Sequence, residues 1–496
     1  MKSLLSVQSF RFYSYFLCLS LIVSTLILPS QHASAAQQAI SAELQAKLDE
    51  IDAYIDDAAA KLGAPGGSMV LVKDGQIVYR KTWGVTGDGK TAVTAQTPFL
   101  LGSLSKGLTA YGIMLLVQAN KIDLDAPVRQ YLPSFTLESE EDAAKITVRQ
   151  LLTQTSGLGT ESGMKFADQG ADDSEAVQRY VRELSTEATT ARPGERHQYS
   201  NENYGILGAL IERIYGVSFE EYMDKSVFEP LGMSNAAASV RQAKEKGWMS
   251  GYRSWFGLSV QSDIAYDNGG APYGYIAASA EDMGHYLIGM LQPDAVLSAR
   301  YTRMMMEPAV LTRANSQTSY GFGWRITPLA EGGERIWHAG STPDYRSEIM
   351  LLPGEGWGAA ILTNRNNSLE EIRLTQVMNG VQQILLGKKA QPATFSVPME
   401  RWLFAVVFLV LLLVTAMVVY RLFRVRRKSG NRRIWAGLAT VFILLAVLLL
   451  PVLLYGLNVT WHTFSLFVPD MAALAVGCVV LLTASGLLSV KMAVNG

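Results

Sequence analysis

Ser103-Leu104-Ser105-Lys106 places a hydroxyl and an amine where they could act together. A helical pattern runs from Ser105 to Asn120. Positions three apart on a helix share a face, so the Ser103 hydroxyl and the Lys106 amine are neighbours. This is a nucleophile with its base, provided the lysine is neutral. Burial and a nearby positive charge both lower a lysine pKa, so the chemistry calls for a second basic group in the same cleft. At a helix start, Ser103 would also offer its own backbone N–H and the helix dipole to an oxyanion. The motif alone is not diagnostic. A chain of this length contains an S-x-x-K about once by chance, and a helix cap followed by a surface lysine is then the simpler account.

Two further constellations change that balance. Tyr199-Ser200-Asn201 stands just before an apolar helix, and His338-Ala339-Gly340 stands on a strand-like stretch. A tyrosine relays a proton when a cation lowers its pKa, and an asparagine amide donates to a substrate carbonyl. Gly340 would let a substrate backbone come close. Without chemistry, the same residues would be a buried turn and a space-filling strand histidine.

The elements that must position these residues are legible from periodicity. Leu44, Leu48, Ile51 and Ile55 recur at helical spacing, and alternating stretches from Ser68 to Val72 and from Gln76 to Trp83 flank Asp74-Gly75 as a hairpin. Thr147, Ser218 with Glu221 as a capping box, and Asn367 mark later helix starts. Strand-like runs return at Tyr320 to Arg325, Ser347 to Leu352 and Trp357 to Thr363, followed by a helix through Ile372, Met378 and Leu385. The predicted fold class is α/β in the α+β sense: an antiparallel sheet flanked by terminal helices, with an inserted helical lobe and a cleft between them.

Composition divides the 496 residues into domains. Residues 1–35 carry Lys2, Arg11, an apolar run and Ala33-Ser34-Ala35, the pattern of a signal peptide or of an uncleaved signal anchor. Residues 36–387 read as the exported globular domain and 388–400 as a linker with Pro392 and Pro398. Residues 401–496 contain three nearly uncharged runs, 403–420, 434–457 and 471–490, each about long enough to cross a bilayer. Arg421, Arg424, Arg426, Arg427, Lys428, Arg432 and Arg433 crowd the first connecting loop, while Asn458 to Asp470 contains no Lys or Arg. The positive-inside rule then puts the globular domain outside the cytoplasm.

The two cysteines, Cys18 and Cys478, lie in apolar runs at opposite ends, so the exported domain is disulfide-free. A formal net charge of −1 with no basic stripe argues against nucleic acid. His197, His285 and His338 lack metal-ligand spacing, so no metal or cofactor is expected. The membrane is the expected partner by composition. Nothing in the composition fixes an oligomeric state.

Taken together, the three motifs resemble the serine beta-lactamase and penicillin-binding-protein superfamily, in its class C-like branch with D-aminopeptidases and carboxylesterases. Ile146 to Leu158, Pro230-Leu231-Gly232-Met233 and Tyr320-Gly321-Phe322-Gly323-Trp324 strengthen the likeness, which covers roughly residues 45 to 386. The resemblance implies Ser103 as the acylated nucleophile, Lys106 and Tyr199 as the proton-transfer pair, and Asn201, His338, Gly340 and Ser341 as substrate-binding residues. The N–H groups of Ser103 and Ser341 would form the oxyanion hole. A small-molecule, peptide or ester substrate of the cell envelope is likewise implied only by the family resemblance of the three motifs.

This sequence departs from the family pattern in two places. His338 replaces the lysine of a K-T-G triplet, which favours peptidase or esterase chemistry over antibiotic hydrolysis because histidine is largely neutral near pH 7. Gln154 stands where relatives commonly have histidine and reads as structural. Trp248, Trp255 and Phe256 fall in a poorly matching stretch and would fill core or line the cleft. A beta-lactamase or DD-carboxypeptidase, and a non-hydrolytic surface receptor, are the alternative readings.

Overall fold

A computed structural model of the chain describes residues 42–424 and 432–495. The expected signal segment and Arg426, Arg427 and Lys428 lie outside the described residues. An eight-stranded sheet, antiparallel throughout, organises the globular region. Strands Gly66–Lys73 and Gln76–Gly84 form the hairpin, with Asp74 and Gly75 at φ 49° and 78°. Beside the first strand lie Trp357–Thr363, then Arg346–Leu352, then Glu334–Ser341, so both ends of the domain build one sheet.

Strand residues alternate between two cores. Met69, Leu71, Met350, Leu352, Ala359 and Ile361 pack with helix 42–62 and helix Ile372–Leu385 on one face. Val70, Val72, Ile349, Leu351, Ala360 and Leu362 face the helical lobe on the other. Two covered faces explain why these strands are apolar along nearly their whole length.

Three local expectations need correction. The run Tyr320 to Arg325 is not one strand: Ser319–Tyr320 and Arg325–Pro328 pair across a tight turn. Phe322 and Trp324 within that turn are core residues, so apolar content reads straight through it. At Ser218 the serine caps the Glu221 N–H, but the full reciprocal box forms at Thr147 with Gln150 instead. Asn367 caps the Leu369 N–H, and the helix begins later, at Ile372.

Three C-terminal helices, Met399–Arg424, Arg432–Leu457 and Pro469–Asn495, are each long and apolar enough to cross a membrane. The third packs against both others, with Thr415 and Ser485 sharing a 2.8 Å hydrogen bond. Gly477 and Gly486 make room for Phe408 and Ile443 of the neighbouring helices, the small-residue packing usual inside bilayers. A short helix, Trp461–Phe467, occupies the second connection. Residues 388–398 have no regular structure, yet Ala393 and Phe395 pack against the terminal-helix core.

Candidate active site

Ser103 lies on a 3-10 turn, Gly102–Leu104, that runs directly into helix Ser105–Gln118. Gly102 has φ 54°, and a Cβ there would collide with the backbone of Gly340 and Ser341. Glycine is thus required for the Ser103 turn to sit against the end of strand Glu334–Ser341. Gly340 is equally constrained, since a Cβ would strike the Leu101 carbonyl. These two glycines bring Ser103 beside Ser341.

Lys106 is fully buried, and its Nζ contacts Ser103 Oγ at 3.1 Å, Asn201 Oδ1 at 2.8 Å and the Tyr273 carbonyl at 2.7 Å. Burial first, and Arg325 second, hold its pKa well below that of an ordinary lysine. A neutral amine has two N–H donors, which Asn201 and Tyr273 accept. Its lone pair is then left for the Ser103 O–H. Arg325 is the second cation the chemistry calls for. It lies 5.7 Å from the Tyr199 ring centroid and 5.8 Å from that of Tyr320. Sequence reasoning did not single it out, although it directly follows the Tyr320 to Trp324 stretch.

Tyr199 and Asn201 flank Ser200, which caps helix Asn201–Tyr215 by accepting the Glu202 N–H. The turn is held from behind by Gln154, fully buried at φ 62°. Its side-chain oxygen accepts from the Ser200 N–H at 2.9 Å and from Asn203 Nδ2 at 2.5 Å, and its carbonyl accepts the Gln198 N–H at 2.8 Å. With Asn201 Oδ1 turned to Lys106, the amide N–H groups of Asn201 remain for a ligand. The Tyr199 hydroxyl is buried beside Ser103. Burial outweighs the opposing pull of Ser103 and Arg325 and pushes its pKa up to about 12.

His338 is buried behind this front. Its Nδ1 lies 2.7 Å from the Ala339 carbonyl, which can only accept, so Nδ1 carries the proton and Nε2 accepts from the Tyr320 hydroxyl at 3.3 Å. Burial and Arg325 hold its pKa well below the usual value, so the ring is neutral.

A cavity of about 540 Å³ opens in front of Ser103, Tyr199, Asn201 and Ser341, which all line it. Lys106 lies beneath that wall, and neither His338 nor Gly340 is among the lining residues. The opposite chemistry is supplied by the C-terminal helices: Phe404, Leu453, Leu457, Phe464, Phe467 and Met471 also line the cavity. Asp168, Glu371 and Glu400 are its ionisable carboxyl groups, and no Lys, Arg or His is among its lining residues. The contribution of the anchor has no signal in the sequence, because a lipid-facing and a cavity-facing leucine look alike. Trp248, Trp255 and Phe256 do not line the cavity. Trp248 packs on Tyr266 in the core, and Phe256 is half-exposed. Among the described residues no group of three or more His, Cys, Asp or Glu could hold a metal ion.

The cavity front thus presents a serine beside a buried, cation-flanked lysine, on an antiparallel sheet with a helical lobe. The chain matches the Beta-lactamase family over residues 51–380 and belongs to that family, whose members are generally serine hydrolases. Protein flp of Staphylococcus aureus strain MRSA252 is 26% identical over 336 residues, a match spanning 66% of this chain and 66% of that protein. Penicillin-binding protein 4 of Amycolatopsis lactamdurans is 27% identical over 352 residues, covering 68% of this chain and 89% of that one. The octameric penicillin-binding protein homologue from Pyrococcus abyssi superposes with a TM-score of 0.61 at 27% identity, over 69% of this chain and 78% of that one.

Proposed function

We propose that the protein is a membrane-anchored, extracytoplasmic serine hydrolase that cleaves a D-amino-acid peptide or ester of the cell envelope through an acyl-enzyme on Ser103. The observation that carries this reading is the buried Lys106 amine 3.1 Å from the Ser103 hydroxyl, its other contacts being two carbonyl oxygens. Ser103 Oγ attacks the substrate carbonyl while its proton passes to the Lys106 lone pair. The oxyanion is received by the N–H groups of Ser103 and Ser341, which the Gly102 approach supports. Tyr199, protonated at neutral pH, is suited to hand a proton to the leaving group, with Lys106 restoring it. Water then attacks the ester carbon and releases the acid, and Ser103 recovers its proton. Asn201 donates to the substrate amide.

The cavity narrows the substrate class. Its wall combines the Ser103 front with apolar side chains from the C-terminal helices and their connection, which supports a substrate carrying an apolar chain and borne by the membrane. The neutral, buried His338 and the lack of a lining cation disfavour substrates that need their carboxylate neutralised, such as penicillins. The extracytoplasmic side follows from the basic loop between the first two spans.

Purified full-length protein should hydrolyse an N-decanoyl-D-alanine 4-nitroanilide faster than its L enantiomer by about tenfold or more, an energy difference that one misplaced substituent commonly produces. Equal rates for the two enantiomers would remove the D-residue assignment.

A further inference from the structure

Glu370 is enclosed by three guanidinium groups: Arg365 at 2.9 Å, Arg401 at 2.6 Å and Arg373 at 3.4 Å. Burial raises its pKa, but the arginines outweigh burial and hold its carboxyl below the ordinary value. Arg401 belongs to the first anchor helix, and its Nε also donates to Asp470 at 2.7 Å, at the start of the third. Asp470 is fully buried and accepts from Asn367 Nδ2 and from the Phe256 N–H of the catalytic domain, both at 3.1 Å. One residue on, the Ser368 N–H donates to the Phe467 carbonyl at 2.9 Å.

Buried ion pairs rarely exceed apolar packing as a source of stability, and their best-attested use is to fix one arrangement among several. An anchor needed only for attachment requires no such arrangement. Here the ionic cluster joins the starts of two anchor helices to the segment Asn367–Glu371, whose Ser368, Leu369 and Glu371 line the catalytic cavity. The short helix Trp461–Phe467 leads straight into Asp470 and supplies Phe464 and Phe467 to the same cavity.

We propose that Arg401 and Asp470 are positioning residues that lock the membrane anchor onto the catalytic domain in the one pose in which the short helix completes the apolar end of the substrate cavity. The inference rests on the reading that an apolar chain occupies that end. Neither residue lines the cavity, so each acts through the wall it holds.

The test compares labelling rates of Ser103 in the full-length, detergent-solubilised protein with two alkyl fluorophosphonates, one with an ethyl and one with a decyl chain. Wild type should react faster with the decyl probe. In Arg401→Ala and Asp470→Asn the decyl rate should fall by about tenfold or more, with the ethyl rate within about twofold, and Arg401→Lys should recover part of the loss. Retention of the wild-type decyl preference in both variants would overturn the lock while leaving the chain-binding reading in place. An equal fall for both probes would also overturn it, since the cluster would then support the catalytic domain as a whole. No decyl preference in wild type would refute the chain-binding reading, and the lock with it.

Discussion

At the scale of single residues, the decisive quantity is the protonation state of one buried amine. Lys106 is poised by burial and by Arg325, and the second effect can be removed without touching the first. Arg325→Gln should raise the Lys106 pKa, so the acid limb of the kcat/KM profile moves to higher pH and activity lost at neutral pH returns in alkali. An unmoved limb in a full pH series would mean that Lys106 is not the titrating base. Lys106→Arg puts a fixed cation in place of a neutral amine and removes the base, so it should cost about 100-fold or more in kcat, as removal of a general base usually does.

Glu202 offers a separate check on burial. Its pKa is raised to about 7, chiefly by desolvation. Because the unfolded carboxyl ionises first, its contribution is lost as pH rises from about 4.5 to about 7. Relative to Glu202→Gln, wild type should lose stability over that window, by at most about 3 kcal/mol. Parallel denaturation midpoints at pH 5 and pH 8 would contradict this.

At the scale of elements, the site is a meeting of two turns and the end of strand Glu334–Ser341, held by polar and steric devices rather than by propensity. The S-x-x-K, Y-x-N and H-x-G residues could be singled out because their types and order are jointly specific; the structure brings Ser103, Lys106, Tyr199 and Asn201 together and leaves His338 and Gly340 off the cavity wall. What the sequence could not show is how they are held: Gln154 beneath the Tyr199 to Asn201 turn, the Tyr273 carbonyl against Lys106, and the Gly102 approach to Ser341. A backbone carbonyl carries no side-chain signature, and a positive-φ glutamine looks like any other. Gln154→Ala would leave the Ser200 N–H and the Asn203 amide without their buried acceptor. A loss of about 1 to 3 kcal/mol in unfolding free energy is expected, measured by urea titration. The strand split at Gly323 was missed for a different reason, since the turn is as apolar as the strands it joins.

At the scale of the whole molecule, the sequence predicts a hydrolase domain followed by a membrane anchor, and the structure has three C-terminal helices long and apolar enough to cross a membrane. The structure joins the two parts, because side chains of those helices form one wall of the cavity in front of Ser103. Periodicity could find the spans but not this docking, which depends on contacts between residues separated by hundreds of positions. The proposed orientation has its own test. Protease added outside intact cells should shed the hydrolase domain and spare an epitope placed in the loop between the first two spans; loss of that epitope would reverse the topology.

The most direct measurement of the central claim is covalent labelling of the membrane fraction with a fluorescent fluorophosphonate, in wild type and Ser103→Ala. The account predicts one labelled band in wild type, with the modified peptide containing Ser103, and none in a variant that retains the thermal transition of wild type. Undiminished labelling of the Ser103→Ala protein would contradict the acyl-enzyme on Ser103.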